Sequence, residues 1–71
     1  MSRYEQLAKN ARVSFDDMLT CMDRMKVDKD ACVKMLERCQ FTLRSYGLRE
    51  EDNMMMDELN MLILCHRNRD E

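Results

Sequence analysis

Thiols and an imidazole are the groups with the widest chemical reach in this chain. It holds four cysteines, Cys21, Cys32, Cys39 and Cys65, and one histidine, His66, directly after the last of them. Such groups hold zinc, pair as disulfides, or act as a nucleophile with its base. The linear spacing opposes each use. No two cysteines stand close enough for the paired ligand knuckles of a zinc finger or ribbon. The spacing is also wrong for a twin C-x₉-C helical hairpin. Cys32 and Cys39 share a helix face but lie ~10 Å apart along its axis. That exceeds the ~7 Å limit on Cα separation for a disulfide. On a helix Cys65 and His66 point ~100° apart, so they do not face each other as nucleophile and base. With a single glycine in the chain, no glycine-rich loop supplies an oxyanion hole or a phosphate cradle.

Carboxylates offer two further constellations, Asp16-Asp17 and Glu50-Glu51-Asp52. Both read better as helix starts and solvated faces than as paired catalytic acids, because negative charge is favoured near a helix N-terminus. Asp28-x-Asp30 resembles the opening of a calcium loop only superficially. The sixth position, which needs glycine, is Val33, and the twelfth, which needs glutamate, is Cys39. Asp28 is expected instead to cap a helix. The chain is therefore read as non-enzymatic, with no catalytic residue, no metal ligand and no cofactor.

The elements that position these residues follow from composition and period. Hydrophobic residues make up 45% of the chain and charged ones 37%, with no proline; this pattern predicts an all-α fold. Ser2 and Glu5 form a capping-box pair. Tyr4, Leu7, Ala8, Ala11, Phe15, Met18, Met22 and Met25 then step by three and four, which predicts one long helix over 2–26. Ser14 could cap a new start if that helix broke near Val13. Arg3 falls off the apolar face and is expected in solvent. Val27 and Cys32 flank the Asp28 cap as a hydrophobic staple. A second helix over 29–46 carries Cys32, Met35, Leu36, Cys39, Leu43 and Tyr46 on one face. Gly47 ends it, with Leu48 packing back on Leu43. A third helix covers 50–67, followed by a charged, frayed tail over 67–71.

Short connections make neighbouring helices antiparallel, so the expected architecture is a single-domain antiparallel three-helix bundle, completed by dimerisation in one version. In that bundle Cys21, Cys32 and Cys65 fall at nearly one height, with His66 on the adjacent face. This is a zinc-competent set. However, Cys21 lies at the flank of its helix and Cys65 on an outer stripe, so a layer of small buried side chains is expected instead. A redox role for Cys21 and Cys32 across the first turn is a further alternative.

The third helix carries more apolar surface than a bundle can hide. Met55, Met56, Leu59, Leu62 and Ile63 form one stripe; Met54, Met61 and Cys65, with Leu64 beside them, form another. Phe41 points away from the core face of its own helix. Aligned exposed apolar residues mark interaction sites, and methionine suits adaptable ones. Phe41, Met54, Met61 and Leu64 are therefore the expected partner-binding residues, for another protein chain or a second copy of this one. Small chaperones, adaptors and inhibitors work this way.

The formal net charge of −2 and interspersed charges oppose a phosphate-backbone partner. A trihelical nucleic-acid-binding regulator using Lys29, Lys34, Arg38 and Arg44 is the alternative of that class. The densest apolar run, 61–65, is far too short to span a bilayer. The start of the chain lacks the apolar core of a signal peptide. Reduced thiols in a cytoplasm are expected.

Overall fold

The computed structural model describes residues 2–23, 28–46 and 50–68, and for Glu51 the backbone alone. Among the described residues there are four helices: α1 (Arg3–Ala11), α2 (Phe15–Met22), α3 (Lys29–Ser45) and α4 (Glu50–Arg67). The expected all-α class holds. The expected count of three helices does not, because the first segment is broken.

The break has a local cause. Arg12 takes a left-handed conformation, φ 58° and ψ 43°. Its N–H donates to the carbonyl of Lys9, and the N–H of Val13 donates to the carbonyl of Ala8 at 3.0 Å. This is a Schellman-type ending with arginine in the seat that glycine usually takes. Ser14 is extended, and its hydroxyl accepts from the N–H of Asp17 at 3.3 Å, so α2 has its own N-cap. The apolar steps of three and four run through the junction because both helices face one core. Leu7, Ala8 and Ala11 of α1 and Met18 and Cys21 of α2 are all buried in it. Periodicity therefore cannot distinguish the broken segment from a continuous one.

The remaining boundaries follow their caps. Ser2 and Glu5 make the full capping box of α1. Asp28 accepts from the N–H of Ala31 at 3.2 Å and starts α3. α3 ends at Ser45, one residue before the expected Tyr46, which is the C-cap. α4 covers the expected residues. Met25, Val27 with its staple, Gly47, Leu48 and the tail beyond Asn68 lie outside the described residues.

α3 is the central element. It packs along α4 and also touches α1 and α2. The contacts Gln40–Asn60 and Glu37–Arg67 climb one helix while descending the other, which makes α3 and α4 antiparallel. Leu7, Met18, Leu36, Leu43 and Leu59 are fully buried between the helices. Each such side chain contributes roughly 1.5–3 kcal/mol by leaving water. The radius of gyration, 11.5 Å, is close to the ~11 Å of a compact domain of this length. Among the described residues no helix is long and apolar enough to cross a membrane.

Candidate functional site

Two regions carry chemistry or recognition: the thiol corner between α2 and α3, and the outer face of α4 with its neighbour on α3.

At the corner, Cys21 lies in the last turn of α2 and Cys32 in the first turn of α3. Both are buried, at 3% and 1% exposure. Burial, first, and then the neighbouring Cys32, with Asp17 and Cys39, push the Cys21 thiol up to about 12. Burial pushes Cys39, two turns further along α3, up to about 11, against the lowering effect of Arg38. Cys21 and Cys39 therefore stay protonated at neutral pH, the state of packed thiols rather than of a resting nucleophile. A pocket of about 250 Å³ opens on the corner, lined by Asp17, Thr20, Cys21, Ala31, Cys32 and Met35.

Of Cys21, Cys32, Cys65 and His66, which the bundle places near one height, Cys21 and Cys32 line one pocket and His66 reaches the main chain of Cys21. His66 is fully buried. Its Nε2–H donates at 2.6 Å to the main-chain carbonyl of Cys21, not to a thiol. That carbonyl is one of those left over where α2 ends, so His66 caps α2 from α4. Nδ1 is buried with no partner among the described residues. Cys65 is half-buried, and all four cysteines are free. Among the described residues no group of three His, Cys, Asp or Glu side chains is placed to hold a metal.

A second buried polar contact was not legible. Asp52, expected to sit at a helix start, is fully buried and ion-paired with Arg3 of α1. The expectation that Arg3 is solvated is corrected accordingly. Its side chain is 37% exposed and lies over the carboxylate. A carboxylate without water needs a cation. The nearest signal in the sequence is Asp52 itself: at ~100° per residue it falls on the same stripe as Leu59 and Ile63.

The outer face of α4 has the expected exposure. Met54 is 73% exposed, Met61 62% and Leu64 52%, while Met55, Met56, Leu59, Leu62 and Ile63 are buried on the other side. Met54 and Met61 stand two turns apart on nearly one line, and Leu64 continues it one turn later. Asp57 and Glu58 lie exposed between them. Phe41 on α3 is 73% exposed. It follows Gln40, whose amide donates to Asn60 across the helix pair. Phe41 and Leu64 thus border the outer seam that Gln40–Asn60 and Glu37–Arg67 close. Tyr46, expected on the core face of α3, is 37% exposed, whereas Val33, not expected there, is buried.

Comparison with known proteins returned no matching family model, no matching curated protein and no matching solved structure.

Proposed function

We propose that the chain is a non-enzymatic protein-binding module of the chaperone, adaptor or inhibitor kind, acting in a cytoplasm. In this reading it buries the Met54–Met61–Leu64 line of α4, with Phe41 at its edge, against another protein chain. A second copy of the chain is one such partner. The observation that carries the reading is the exposure of these four large apolar side chains, each more than half open to water. Three of them are aligned on one helix whose opposite side is fully used by the core. Scattered exposed apolar residues are ordinary; an aligned set backed by a rigid packed helix is what a partner recognises. Methionine adds adaptability, since its unbranched thioether fits irregular surfaces.

The test is binding by the wild type and by Met61→Asp and Leu64→Asp variants. Proteins captured from the native cell, and self-association followed by light scattering, are both measured. Each change should weaken association at least tenfold, about 1.4 kcal/mol, with the circular dichroism of the helices retained. Leu19→Asp, an exposed position on α2 away from this face, serves as the control and should leave binding intact. Association unaffected by Met61→Asp and Leu64→Asp overturns the reading.

A further inference from the structure

The thiol corner carries an inference separate from the α4 face. We propose that Cys21 and Cys32 are a modification site: a reversible disulfide that closes across the α2–α3 corner when a disulfide such as oxidised glutathione presents its S–S bond at the mouth of the pocket they line. Three observations place it there. The two cysteines stand in the last turn of α2 and the first turn of α3, both buried at the same corner. Both line a pocket of about 250 Å³ that opens to solvent, so an oxidant reaches buried sulfur without the fold opening. The corner is also fixed on both sides, by the Asp28 cap of α3 and by the His66 grip on the Cys21 carbonyl.

The chemistry is two exchanges. Cys32 loses its proton to solvent and attacks one sulfur of oxidised glutathione, forming a mixed disulfide and expelling one glutathione thiolate. Cys21 then loses its proton to solvent, attacks the Cys32 sulfur and expels the second. The two released protons go to the two glutathione thiolates, so two protein thiols are oxidised and one glutathione disulfide is reduced to two thiols. Helix position sets this order: Cys21 sits in the last turn of α2, where negative charge is opposed, so it reacts second. Because burial holds Cys21 protonated, the second step is slow and speeds up with rising pH. Cys32 and Cys39, ~10 Å apart along one helix, cannot compete as a pair.

The experiment incubates the native protein in glutathione redox buffers at mildly alkaline pH until the mass stops changing. It then alkylates in denaturant and maps the peptides. The expected product is a monomer lighter by two hydrogens, with Cys21 joined to Cys32 and Cys39 still alkylated. Cys65 is half-buried, and its own products are mapped in the same digest. A Cys21–Cys39 link, a product found only at Cys65, or no monomeric disulfide overturns the proposal. So does a Cys21–Cys32 link that forms in urea but not in the native state. Because the mapping uses the wild-type chain, the proposal does not depend on any cysteine variant folding.

Discussion

α4 is held at its two ends by different chemistry. At its start the buried Asp52 pairs with Arg3 of α1; near its end the buried His66 donates to the Cys21 carbonyl of α2. One contact is an ion pair, the other a hydrogen bond to a helix-terminal carbonyl. A buried carboxylate taken from its cation costs more than one lost hydrogen bond. The two halves of the broken first segment are thus docked by unequal means. α1 depends on an ion pair that spans the core. α2 depends on a cap that also completes its own helix.

The largest expected effect is at the charged end. Arg3→Met should lower unfolding free energy by roughly 2–3 kcal/mol, below the 3–5 typical of a fully buried pair because Arg3 is partly open to water. Asp52→Asn should cost less than Arg3→Met, since it keeps the shape of the buried side chain and leaves a partly exposed Arg3 that can turn to solvent. Urea denaturation followed by circular dichroism measures both. A reversed order would mean that the pair does not seat α1.

At the His66 end, His66→Phe keeps the ring volume and removes the donor. The expected cost is about 1–2 kcal/mol, that of one lost buried hydrogen bond. The two ends lie ~21 Å apart along α4, so the Arg3→Met and His66→Phe losses should add within about 0.5 kcal/mol. A larger coupling would show that the α1–α2 junction transmits strain between them and would blur the comparison.

The sequence made some of this legible and hid the rest for physical reasons. The core stripe of α4 and its exposed counterpart could be read because a long helix with two faces leaves a clear period. The α3 start could be read because Asp28 is a strong cap. The α1–α2 break could not be predicted over a continuous helix: its left-handed residue is Arg12, not glycine, and the apolar steps stay in phase across it. The Arg3–Asp52 pair was hidden because a charged residue on an apolar stripe looks like a helix start until the distant partner is placed. Cys21 and Cys32 were correctly brought near each other by counting from the turn. His66 was placed near the right layer, but its bond to the Cys21 carbonyl was not foreseen, since a main-chain carbonyl leaves no mark in the sequence.

The smallest expected effect has a sign that decides the most. Ser14→Ala removes the hydroxyl that accepts from Asp17 N–H and caps α2. If α1 and α2 are separate helices docked by separate means, this change destabilises the protein by about 1 kcal/mol, the usual cost of a lost N-cap. If the segment instead ran as one helix through Val13 and Ser14, alanine would be the better helix former there and the same change would stabilise it by about 0.5 kcal/mol. Thermal unfolding of this one variant therefore separates the two arrangements by the direction of the shift. A stabilised Ser14→Ala would join the two halves into one element and remove the basis for treating the ends of α4 as independent anchors.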